Sequence, residues 1–186
     1  MRFCFAFLLL LLHAETLQHQ LDLGPLLHDD KALQKLTVMY QYEPRGNHGY
    51  QMLFIRGDGS LLLQAHPARP ISNSDIPTCR NRISRDKVKE LVRLIIQRRF
   101  WDLPDRNFLF LYISQPEGEI DLHTIAVDDG LAKAKRSFAV GRYAENQESM
   151  PVDFAAIQEQ PEQLKDFTLH TPEKPCHFAP AVKFWE

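Results

Sequence analysis

The sequence predicts an α+β fold, an antiparallel sheet of five or six strands with one central helix packed across a face. Three observations lead there. The stretch Ser84 to Pro104 is the one long segment with helical periodicity, its apolar Val88, Leu91, Val92 and Ile95 recurring at i, i+3, i+4 and i+7. Both flanks carry period-two runs closed by glycine turns, Gly57-Asp58-Gly59 and Asp128-Asp129-Gly130. Finally, 186 residues at 44% hydrophobic and 25% charged composition suffice to bury one core.

Residues 1–14 read as a signal peptide. Arg2 supplies the positive start, Phe3 to Leu12 is an unbroken apolar run too short to span a bilayer, and Ala14 offers a small residue for cleavage. The other reading is a buried or membrane-resting N-terminal segment, because Leu12 is a poor residue three positions before the cleavage point. Removal of this segment takes Cys4 with it and leaves Cys79 and Cys176, an even pair that an oxidising compartment can close into one bridge. Residues 15–35 form an irregular lead-in broken at Gly24-Pro25, with a short helical turn at Lys31 to Gln34.

The core domain is assigned to residues 36–140. In Leu36 to Tyr42, Leu36, Val38, Tyr40 and Tyr42 share one strand face. Tyr50 to Ile55 and Ser60 to His66 make a hairpin across Gly57-Asp58-Gly59, whose glycines supply the positive φ that a tight turn demands. The same turn spells Arg56-Gly57-Asp58, an adhesion tripeptide, but the hairpin accounts for those glycines. Pro67 to Asn81, with three prolines and no periodicity, reads as a long surface connection. It leads into the helix, where Ser84 is the N-cap, Asp86 favours the positive end of the dipole, and Arg98 and Arg99 favour the negative end.

Beyond the helix, Phe108 to Ile113 fits a buried strand and Glu117-Gly118 a turn. Ile120 to Val127 is a strand whose alternation changes phase at His123-Thr124, which implies either a bulge or burial on both faces. Ala132 to Val140 returns from Asp128-Asp129-Gly130. Residues 141–186 then hold an acidic helix over Val152 to Phe167, interrupted at Pro161, and a tail with three prolines. The tail is expected to form no regular element and to clamp onto the body through Phe178, Phe184 and Trp185.

Charge narrows the function classes. A net charge of −2 gives no general affinity for nucleic acid. Locally, Arg80 to Arg99 holds eight basic residues against Asp86 and Glu90, while Glu145 to Asp166 holds six acidic ones against Lys165. Arg85, Lys89 and Arg93 stack at i, i+4 and i+8, and with Arg80 and Arg82 upstream they form a candidate surface for an acidic protein or an anionic envelope component. Solvated faces, or attraction between the basic and acidic segments, explain the same charges. No histidines stand at a metal-ligating spacing, and His170, Cys176 and His177 fit no common zinc site, so no metal and no cofactor is expected. There is no G-x-S-x-G. Glu119 and Asp121 share a strand face near His123, the constellation a small carboxylate and histidine hydrolase would need.

The Gly57-Asp58-Gly59 turn, the helix ending Phe100-Trp101-Asp102-Leu103-Pro104 and the second hairpin at Asp128-Asp129-Gly130 together resemble small bacterial secreted domains of unknown function. The likeness runs over roughly residues 35–140. It implies an α+β module of the cell envelope and brings no activity to any residue. The expected function is therefore an exported, non-enzymatic binding or envelope-associated module, secreted or periplasmic and without a transmembrane span. The alternatives are the small hydrolase and an intracellular regulatory module.

Overall fold

The computed structural model describes residues 22–44, 46, 48–68, 75–103, 120–141 and 150–184. Among these, seven strands form one antiparallel sheet: β1 (Thr37–Glu43), β2 (Tyr50–Arg56), β3 (Ser60–His66), β4 (Ile76–Arg82), β5 (Ile120–Asp128), β6 (Lys133–Gly141) and β7 (His177–Ala179). Their spatial order is β6-β5-β1-β2-β3-β4-β7. Three α-helices accompany them: α1 (Asp30–Leu33), α2 (Arg85–Gln97) and α3 (Val152–His170). The apolar runs 3–12 and 108–113, the turn at 117–118, Glu119 and Trp185 lie outside the described residues.

Local chemistry sets the turns. Gly59 holds a φ of +88° between β2 and β3, which an L side chain resists. Gly57 serves differently: it has no positive φ, and a Cβ there would run into the Leu33 carbonyl. In the β5–β6 turn Gly130 has a φ of +87°, and Asp129 Oδ1 accepts from the backbone N–H groups of Leu131 and Ala132.

The two long helices, α2 and α3, are the return crossings of the sheet. After β4, α2 heads back toward β5, four strands away, or ~19 Å at ~4.8 Å per strand. Its 13 residues rise ~20 Å. From β6 the chain must reach β7 at the opposite edge, six strand spacings or ~29 Å away, and the 19 residues of α3 rise ~28 Å. The ion pair between Arg98 and Asp153, 3.0 Å, joins the end of α2 to the start of α3, so the helices run antiparallel over one face.

On that inner face Val38, Tyr40, Leu53, Ile55, Leu61, Leu63, Cys79, Ile125, Val127 and Phe138 form the core with Val88, Leu91, Val92 and Ile95 of α2 and Phe154 and Ile157 of α3. Ser84 caps α2 as expected, its Oγ accepting from the Lys87 N–H, and Phe100 closes the end of the same core. The outer face carries a second cluster, Met39, Met52, Phe54 and Ala126, covered by Phe184.

The sheet exceeds the expected five or six strands because two segments read as irregular are strands. Ile76–Arg82 pairs with β3 on one side and β7 on the other, and both ladders are antiparallel. Its inward positions hold Pro77, Cys79 and Asn81, so no hydrophobic alternation marked it. The single central helix becomes two long ones, since α3 continues through Pro161. β5 runs in unbroken register with β1 and β6, so the phase change at His123-Thr124 reflects burial on both faces and not a bulge. Of the aromatics expected to clamp the tail, Phe184 does so, while Phe178 is 70% exposed and does not.

Candidate functional site

Six positions of α3 face the sheet: Phe154, Ile157, Gln158, Pro161, Lys165 and Thr168. Positions along the helix meet strands in their spatial order. Phe154 packs on Phe138 of β6 with ring centroids 4.4 Å apart. Gln158 reaches His123 of β5, Lys165 lies over Tyr42 of β1, and just past the helix the Thr171 carbonyl accepts from Asn81 Nδ2 of β4. Three of these inward positions are polar, Gln158, Lys165 and Thr168, and all are buried. Thr168 satisfies itself by donating to the Leu164 carbonyl within its own helix. Gln158 and Lys165 instead enter a cluster with the sheet.

At its centre the His123 Nδ1 lies 2.9 Å from the Tyr40 hydroxyl and 3.0 Å from Gln158 Nε2. The same Gln158 amide nitrogen donates to Glu162 Oε2 at 3.2 Å, while Gln158 Oε1 is buried without a partner among the described residues. Tyr42 stacks on the His123 ring, centroids 5.0 Å apart, and its hydroxyl donates to Asp121 Oδ1 at 3.3 Å. Lys165 Nζ sits 4.8 Å from the centre of the Tyr42 ring and 3.5 Å from Asp166 Oδ1.

Burial dominates the electrostatics. It holds the His123 imidazole below its usual value; Lys165 adds to that, while Glu162 and Asp121 push the other way. Burial likewise drives the Tyr40 phenol upward, with the Glu162 charge next in size. Tyr40 is therefore a neutral donor, and a neutral His123 accepts at Nδ1. One lone pair serves one donor at a time, so Tyr40 and Gln158 compete for it. Asp121 and His123, two of the residues a hydrolase would need, share the inner face and both touch Tyr42. Among the described residues no group of His, Cys, Asp and Glu is arranged to hold a metal ion.

A second histidine is held on the outer face. His66 stands opposite Tyr50 in the β2–β3 ladder, rings 4.3 Å apart and nearly parallel at 10°. Burial lowers its imidazole too, and its Nε2 has no hydrogen-bond partner among the described residues.

The basic residues singled out in the sequence separate. Arg85 and Lys89 converge on Asp30 of α1, at 3.3 and 2.9 Å, and Lys89 is the larger cause of the lowered Asp30 carboxyl. Lys89 is consequently only partly exposed, its side chain at 18%, and does not lie on a solvated stripe. Arg93 remains exposed on α2. Arg80 and Arg82 belong to β4, where alternation points them to the outer face, away from α2. They are exposed there, as is Arg56 of β2, and the Asp58 carboxyl feels both Arg82 and Arg56 after its main partner Ser60. Cys79 and Cys176 are joined in a disulfide, Sγ–Sγ 2.00 Å.

No sequence pattern marks Gln158, Glu162 and Lys165 as site residues, because α3 has little amphipathic contrast. The signal that could have found them is the spacing 154, 157, 158, 161, 165 and 168, a helical stripe whether or not its members are apolar. No described helix is long and apolar enough to cross a membrane. A scan of protein-family models and a search of curated proteins find no match to this chain.

Proposed function

We propose that the chain is an exported, non-enzymatic binding module whose outer sheet face meets an acidic partner. The observation that carries this reading is the placement of Arg80 and Arg82. Both are exposed beside Arg56, on the face opposite the Asp30 pairs that hold Arg85 and Lys89. Guanidinium groups so placed offer forked donors to carboxylates. The Cys79–Cys176 bridge supports export, since such bonds persist in oxidising compartments. So do Arg2 and the Phe3 to Leu12 run. The position of His123, stacked in the helix–sheet interface with Nδ1 facing Tyr40 and Gln158, supports a structural place for it over a catalytic one.

The test is retention on polyglutamate resin at low salt, with phosphatidylglycerol vesicles as a parallel probe. Native chain should be retained on the resin and released by salt, as screening requires. The R80E/R82E variant should pass through, and R85E, which touches the Asp30 pair instead, should behave as native. Retention unchanged by R80E/R82E would overturn the reading, and stronger binding to vesicles than to polyglutamate would make the partner a lipid surface. Intact mass after expression in a secreting host should show a chain starting near Glu15.

A further inference from the structure

The tail after β7 crosses the outer face as an extended strap. Gln64 of β3, only 1% exposed, grips its backbone at two points: Nε2 donates to the Pro180 carbonyl at 2.9 Å and Oε1 accepts from the Val182 N–H at 2.8 Å. A second hydrogen bond from Nε2 to Thr78 Oγ1, 3.2 Å, fixes the amide orientation. In an extended chain positions 180, 182 and 184 share a side. Accordingly Val182 and Phe184 both pack on the outer cluster, Phe184 against Phe54 at 6.4 Å between centroids. Lys133 holds the far end through the Phe184 carbonyl at 3.1 Å and its ring at 5.4 Å.

Such a grip reads main chain, not the identity of a side chain, and the apolar seat beyond it takes one aromatic ring. We propose that this groove is a peptide-binding site filled in cis by the chain's own tail. Its partner is an extended acidic segment of another protein, with an apolar residue and, two positions on, an aromatic one. The acidic character follows from Arg56, Arg80 and Arg82 on the same face; this part rests on the proposed function above. The strap can leave without stranding buried polar groups, because the Gln64 amide then faces outward to water. The tail thereby acts as a built-in competitor, lowering the apparent affinity by the fraction of time the groove is closed.

The experiment uses the full chain and a fluorescent peptide reproducing residues 179–184 with two aspartates added before it. Phe184→Ala should bind this probe about tenfold more tightly than native chain does, since the competing tail is loosened. Adding Gln64→Ala to that variant should abolish the gain. In native chain, saturating probe should speed hydrogen exchange at the Val182 amide, a readout that does not depend on any variant folding. Equal affinity for native and Phe184→Ala chains, or Val182 exchange unmoved by saturating probe, would overturn the inference. Polyglutamate retention that needs the arginines while the probe fails would leave the acidic-partner reading standing and remove only the peptide groove.

Discussion

Cys79 and Cys176 stand opposite each other one step beyond the Thr78–His177 pair of the β4–β7 ladder, with Cα atoms 4.4 Å apart. The bridge therefore continues a register and pins a three-residue strand whose own ladder is too short to hold an edge. It also anchors the strap, which leaves β7 at Pro180.

Removing the bridge should release both. The cysteines are 97 residues apart, so the closed loop is long, and the C79A/C176A variant should lose about 2–4 kcal/mol. Urea titration of the native chain with and without reductant gives the same comparison without a substitution. Exchange protection at Val182 should fall in step. A reduced chain with an unchanged urea midpoint would mean that pairing alone secures β7.

Leu91 is 1% exposed at the centre of the α2 stripe, and Leu91→Ala should cost about 2–5 kcal/mol from lost transfer energy and a cavity. Arg93, exposed on the same helix, provides the control, with Arg93→Ala expected to stay within about 0.5 kcal/mol of native. Comparable losses at both positions would contradict the helix orientation described above.

The helix α2 was legible because propensity, capping and periodicity agree at Ser84, Val88, Leu91, Val92 and Ile95. Both hairpin turns were legible for a similar reason, each with a glycine at a position requiring positive φ. β4 was hidden, since Pro77, Cys79 and Asn81 show no apolar alternation and its strand character comes from partners on both sides. Once 76–82 is a strand, Arg80 and Arg82 cannot join the helical stripe of Arg85, because the two-residue period turns them outward. α3 was half visible. Its stripe mixes Gln158, Lys165 and Thr168 with apolar residues, so the segment that carries most of the candidate site has the weakest hydrophobic pattern.

Pro161 offers a direct probe of that helix. It sits buried inside α3 and has no N–H to give the Ile157 carbonyl. Proline in a helix interior is about 3 kcal/mol less favourable than alanine, and alanine surrenders part of the ring's burial. Pro161→Ala should therefore stabilise the chain by about 1–2 kcal/mol, read as a higher urea midpoint at constant m-value. A lower midpoint would show that the ring's packing outweighs the missing hydrogen bond.

His123 sets the pH response. Burial holds its imidazole below the ordinary 6.5, aided by Lys165 and opposed by Glu162 and Asp121. Below that value the unfolded chain binds the proton more readily than the folded one, so stability present at neutral pH is lost as pH falls through 6.5 toward the folded pKa. His66, also lowered by burial, adds a loss of the same sign. Protonation at His123 would in addition face Nδ1–H toward two donors, which forces the Tyr40 hydroxyl to rotate or the Gln158 amide to turn its unpartnered Oε1 inward. His123→Phe keeps a ring against Tyr42 but removes the titration and the acceptor shared by Tyr40 and Gln158, whose amide keeps its bond to Glu162. It should be less stable than native at pH ~7.5 by about 1–3 kcal/mol. Its stability should fall less steeply between pH ~7.5 and ~5.5, because one proton-linked term is gone. Urea midpoints measured in half-unit pH steps decide the matter: converging curves support a buried neutral His123, and parallel curves contradict it.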